Sequence, residues 1–119
     1  MTSRNARTMS AAGGWQIIEG GVTAPQGYLA SGVSAGIKKK GLDLAVVFSP
    51  QGASAAGVFT RNVVQAAPVV LSRENLKGSR GRMRAVLINS GCANACTGDR
   101  GMHDAALSAQ CLASQLNTS

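Results

Sequence analysis

The chain has 119 residues, room for one domain with a core and hardly for two. Apolar residues make up 45% of it but aromatics only 3%, so a core here relies on Ala, Val and closely approaching backbone rather than large side chains. The net charge of +7 raises nucleic acid as a partner, yet Lys38, Lys39 and Lys40, and Arg80, Arg82 and Arg84, have no aromatics between them to stack on bases. No run approaches the ~20 apolar residues of a membrane span, so neither nucleic acid nor a membrane is expected as a partner. The basic clusters read as two solvated loops or as a basic mouth that attracts an anionic substrate or cofactor.

Residues 1–14 hold Arg4, Arg7, several hydroxyls and no acid. They read as a flexible leader, with a transit peptide as the alternative. The folded part is expected over 15–119. Trp15 to Glu19 reads as a short strand. Tyr28 to Ile37 reads as a strand with a bulge or close backbone contact at Gly32 or Gly36. Asp43 to Ser49, DLAVVFS, is the clearest buried strand: continuous, β-branched and bounded by a Pro-Gln-Gly turn. Ala53 to Thr60 reads as another. Val63 to Ala67 is a short helix or an irregular link, and Pro68 to Ser72 is a strand or the approach to one. Arg73 to Leu76 is too short to assign. Gly78 to Arg82 is a basic turn and Ala85 to Ile88 a strand. Asp99 to Asn117 is the one helix expected. Met102, Ala105, Ala106, Ala109, Leu112, Ala113 and Leu116 recur at helical spacing, with Asp99 as N-cap. Ala105, Ala109, Leu112 and Leu116 should be buried, with Ser108, Gln110 and Gln115 on the opposite face. The expected class is α/β of the α+β type, several strands with one small-residue helix packed on the sheet.

The stretch VLINSGCANACTGDRG, from Val86 to Gly101, follows a strand with residues that hardly include a large side chain. It is either a linker or a backbone that must pass very close to something. Cys92, Cys96 and Cys111 are an odd number with no signal peptide, which suits a reducing compartment. Their spacing does not converge with His103 on one tetrahedral centre, so neither a metal nor a disulfide is expected and the three read as small buried residues. His103, early in the helix, reads as a structural histidine. Thr97 to Gly101 opens the helix but matches no phosphate-loop pattern. Asn89 and Asn94 either hold the loop between strand and helix in shape or line an acyl-binding cleft; composition favours the first.

The segments GGVTAPQGYLASGVSAGIKKKGLDLAVVFS, AAGVFTRNVVQAAPVVLSRE and INSGCANACTGDRGMHDA, in that order, resemble the N-terminal part of the arginine-biosynthesis ornithine acetyltransferases, also called glutamate N-acetyltransferases. The likeness covers about Trp15 to Leu116. The family more often has Asn where this chain has Cys92. The resemblance implies a partial layered αββα sandwich. It also implies a precursor that cuts itself into two subunits, giving a hetero-oligomer of two subunit types. A Thr exposed at the second subunit's N-terminus takes the acetyl group from N-acetylornithine and passes it to glutamate in a ping-pong cycle. Some members also accept acetyl-CoA as donor; no bound cofactor is implied. That Thr, the oxyanion Thr-Gly pair and the substrate-binding residues all lie past residue 119 in the family pattern. Thr97-Gly98 is a different pair and inherits no role. The resemblance therefore implies no catalytic, substrate-binding or metal residue here, and an inactive, partner-seeking segment. The implied compartment is the cytoplasm, or an organelle if the leader is a transit peptide. A non-enzymatic binding or assembly module that kept this part of the fold is the alternative.

Overall fold

The computed structural model describes residues 18–118. The expected leader and Trp15–Ile17 of the expected first strand lie outside the described residues, and Ile18 and Glu19 are not in a strand. The elements in order are β1 (Leu29–Val33), β2 (Leu44–Ser54), α1 (Ala67–Gly78), β3 (Arg82–Asn89) and α2 (Gly98–Gln115). The fold is mixed α/β, with a three-stranded antiparallel sheet in the order β1-β2-β3. Leu29 pairs with Phe48 and Val33 with Leu44 on one side of β2; Leu44 pairs with Asn89 and Phe48 with Ala85 on the other.

DLAVVFS is the middle strand, as its continuous apolar run requires. It does not stop at Pro50. The register jumps from Phe48↔Ala85 to Ala53↔Met83, so Ser49–Gly52 bulge opposite Arg84 and the strand resumes at Ala53. Proline has no N–H to give a ladder, and a bulge is where a strand tolerates it. The strand expected over Ala53–Thr60 is therefore only the tail of β2. After Ser54, residues 55–66 have neither helix nor strand, and Val58 is fully exposed. β1 is shorter than expected, because beyond Val33 the amides turn inward to a carboxylate described below.

The larger correction is α1. Pro68–Ser72 is helix, not strand, and Arg73–Leu76 continues it. Val69 and Val70 suggest β structure. Pro68, however, sits in the first turn, where its fixed φ suits a helix and its missing N–H costs no bond. Residues 71–77 then offer no breaker before Gly78. Two helices are present among the described residues, not the one expected. The turn after α1 is closed by Ser79, whose N–H donates to the Asn75 carbonyl (2.9 Å) and whose hydroxyl donates to that of Leu76 (3.2 Å).

The α2 stripe faces inward as its spacing requires, but burial is partial. Ala105, Ala109, Leu112 and Leu116 are half-buried, while Ser108, Gln110 and Gln115 are exposed. The N-cap is Thr97 rather than Asp99, which lies in the first turn, and Thr97 makes no side-chain cap bond. α1 and α2 pack on each other. Leu112 and Leu116 approach Leu29, Val46 and Phe48 across an apolar groove, so α2 lies over the sheet face that carries Val46 and Phe48, with α1 packed against α2. Pairing puts Val47, Val86 and Ile88 on the other face, where Val86 is 55% and Ile88 48% exposed.

Candidate functional site

The only buried acid among the described residues is Asp43, 3% exposed at the start of β2. It closes the β1–β2 loop on itself. Its N–H donates to the Val33 carbonyl (3.0 Å). Its carboxylate accepts the N–H of Ala35 on Oδ1 (2.6 Å) and that of Lys38 on Oδ2 (2.8 Å). It also reaches the next loop, because the Ser90 N–H donates to the Asp43 carbonyl (2.9 Å). A burial of this kind is tolerated only because each charged oxygen has a donor.

The Ala35 N–H, then that of Lys38, holds the Asp43 carboxyl below its ordinary value of 3.8, against the opposing effect of burial. A lowered folded-state pKa means that the stability it contributes is present above the ordinary carboxylate value and is lost as pH falls through the lowered one. We expect the Ala35 and Lys38 amides to keep their hydrogen-exchange protection at about pH 4 and to lose it only in stronger acid. Asp43→Asn should abolish that step. Loss of protection well above pH 4 in the unaltered chain would contradict the assignment.

The loop from Ser90 to Thr97 is no linker. At Gly91, φ is +101°, and a Cβ there would collide with the Lys38 Cγ and come within 3.4 Å of Ile37 Cγ2. The small residue is required because the stem of Lys38 lies across it. Asn94 Nδ2 donates to Asn89 Oδ1 (3.0 Å), bracing the loop from within. That bond, with Asn94 at φ +50°, supports the loop-shaping reading of both asparagines. Cys96 (φ +57°) and Gly98 (φ +57°) are also left-handed, so three such turns in five residues bring the chain round into α2.

Cys96, Thr97, Gly98 and Met102 face Val64, Ala67 and Val70 across a cavity of about 300 Å³ between the starts of the two helices. Gln65 at its edge is engaged at both ends: its Nε2 donates to the Thr60 carbonyl and its Oε1 accepts from Arg73 Nη2 (2.8 Å).

The three cysteines are exposed, not buried as expected. Cys92 and Cys96 are carried on the loop at the sheet end, and Cys111 lies off the apolar stripe of α2. Among the described residues no three His, Cys, Asp or Glu side chains gather as metal ligands. His103 is a surface residue whose Nδ1 lies 3.4 Å from Asp104 Oδ1; Arg100 Nε is 3.7 Å from the same carboxylate. These are exposed pairs of small energetic value. Among the described residues no hydrogen-bonded nucleophile–base pair is assembled. The feature missed in the sequence was Asp43, read there only as the start of a strand. Its signal was an acid heading a continuous apolar run directly after a Lys-rich turn.

The mixed α/β arrangement is shared with two crystal structures. One, from Bacillus halodurans, is described as arginine biosynthesis bifunctional protein ArgJ. It superposes with a TM-score of 0.80 at 39% identity over 84% of this chain and 52% of that one. The other is an ornithine acetyltransferase from Mycobacterium tuberculosis complexed with ornithine, with a TM-score of 0.76 at 52% identity over 82% of this chain and 50% of that one. A model of the ArgJ family matches residues 29–119, and the chain belongs to that family. The arginine biosynthesis bifunctional protein ArgJ of Parasynechococcus marenigrum is 55% identical over 103 residues, covering 86% of this chain. That of Synechocystis sp. is 50% identical over 106 residues, covering 88%. The chain spans about a quarter of the length of these curated relatives.

Proposed function

We propose that this chain is the N-terminal segment of an acetyltransferase of arginine biosynthesis that moves an acetyl group from N-acetylornithine to glutamate. The observation that carries the reading is the 52% identity to a solved ornithine acetyltransferase holding ornithine. In the proposed cycle a Thr hydroxyl outside this chain attacks the acetyl carbonyl, and ornithine leaves as the amide C–N bond breaks. The α-amine of glutamate then takes the acetyl group from the Thr ester and frees the hydroxyl. Acetyl-CoA serves as an alternative donor in this scheme. The segment's part is architectural: it supplies a sheet, two helices and a braced loop against which the catalytic half is placed. The partner is the subunit that carries the Thr.

The test is an acetyl-transfer assay with N-acetylornithine and glutamate, run on the purified chain and on the chain co-expressed with the remainder of its parent protein. We expect turnover only in the second case, together with an acetylated Thr peptide in the mass spectrum. Turnover by the isolated chain, abolished by Cys92→Ala or Cys96→Ala, would overturn the reading and make one of the exposed thiols the nucleophile. A failure of both samples, with the assembled pair shown to be folded, would favour a binding module.

A further inference from the structure

We propose that Asp43 is a clasp that couples the β1–β2 loop, Ser34 to Leu42, to the β3–α2 loop, Ser90 to Thr97, so that the first loop sets the conformation of the second and of the cavity rim it forms. The inference is independent of the acetyl-transfer reading.

Three links carry it. Asp43 is held to both loops at once, through its carboxylate to Ala35 and Lys38 and through its carbonyl to Ser90. Lys38, fixed by its own N–H to that carboxylate, lays its stem over Gly91 at the start of the second loop. The second loop then passes through the Asn94–Asn89 brace to Cys96, Thr97 and Gly98, which line the cavity between the helix starts. The links are in series. If the carboxylate lets go of Lys38, the contact at Gly91 goes with it, and the far loop keeps only the Ser90–Asp43 main-chain bond at its first residue and the Asn94–Asn89 brace. The first of these pins only the loop's root, and the second lies within the loop and the end of β3, so neither holds the segment beyond Ser90 against the first loop. Removing the charge does more than weaken two bonds. An Asn at position 43 can accept from Ala35 or Lys38 with its single carbonyl oxygen, but its amide group then faces the other N–H, donor against donor. The coupling is reciprocal, as any linkage between two local equilibria is.

The chain carries its own reporters. Lys39 and Lys40 are exposed on the first loop, and Cys92 and Cys96 are exposed thiols on the second. Cys111, exposed on α2, serves as the internal control. In the full 119-residue chain, Asp43→Asn should speed tryptic cleavage after Lys39 and Lys40. It should speed alkylation of Cys92 and Cys96 by iodoacetamide as well. Each should rise by about tenfold, the loss of one net hydrogen bond of local stability, with Cys111 unchanged. Faster cleavage with Cys92 and Cys96 at their original rates would overturn the coupling, and so would no change in either. If all three cysteines accelerate together the variant has opened globally, and Lys38→Ala decides. It keeps the Lys38 N–H but removes the stem over Gly91. Faster alkylation of Cys92 with Cys111 unchanged upholds the clasp; an unchanged Cys92 rejects it.

Discussion

Gly91→Ala is expected to destabilise the chain by about 2–5 kcal/mol, from two sources that add. The backbone at position 91 has φ +101°, a region that L side chains rarely adopt. Holding a Cβ there costs on the order of 1–2 kcal/mol. The new methyl also collides with Lys38 near the root of its side chain, where a rotamer change at the tip brings no relief. Overpacking of this kind costs roughly 1–3 kcal/mol. The midpoint of urea denaturation reads the sum. A double-mutant cycle separates the parts: Lys38→Ala should restore the collision share in the Gly91→Ala background and leave the backbone share in place. If Gly91→Ala is as stable as the unaltered chain, Lys38 does not lie across the loop, and the small-residue stretch needs another explanation.

Phe48→Ala is expected to cost about 2–3 kcal/mol, less than the roughly 3–5 kcal/mol of an enclosed aromatic because the ring is half-buried. Phe48 sits in the middle strand, pairs with Leu29 on one side and Ala85 on the other, and faces Leu112 and Leu116 of α2 across the groove. Aromatics are only 3% of the chain, and no large side chain among the described residues is fully buried. The contact between helices and sheet therefore depends on a few residues, and losing one ring removes a large share of it. The far-UV signal should fall at lower urea with the slope little changed. Val47→Ala, on the opposite face of the same strand, is the control, and a Val47 variant that costs as much as Phe48→Ala would mean that the helices cover the wrong face of the sheet as described.

Apolar continuity and helical spacing made the centre of the fold legible in the sequence. DLAVVFS had one reading as a strand. The Ala and Leu of α2 fell on one stripe whichever terminus was taken. What escaped was decided by backbone chemistry that side-chain patterns do not carry. Val69 and Val70 advertise a strand, and only the placement of Pro68 in a first turn makes them helical. Pro50 and Gly52 look like the end of a strand and are instead a bulge within one. The cysteines were read as buried because cysteine usually is; Cys92 and Cys96 are instead exposed on the β3–α2 loop, and Cys111 on α2 off its apolar stripe. Of the candidate site, the Asn89–Asn94 brace was visible as two residues that suit left-handed or self-bonding backbone. The role of Asp43 was not, since its partners are amides eight and five residues away in a loop with no regular pattern.

The strand order also bears on how the chain finds its shape. Each strand of the sheet lies beside its neighbour in sequence, with no strand crossing over another among the described residues. The β1–β2 ribbon needs only a short loop to close, and Asp43 stands at that closure with its donors drawn from the loop itself. β3 comes after α1 and has a longer span to bridge before it reaches β2, at a higher cost in chain entropy. Loop-closure cost alone leads us to expect a ribbon that zips first and a third strand that docks onto it with the helices. The carboxylate at the ribbon's end thus sits where a folding nucleus gains most from an early, local lock.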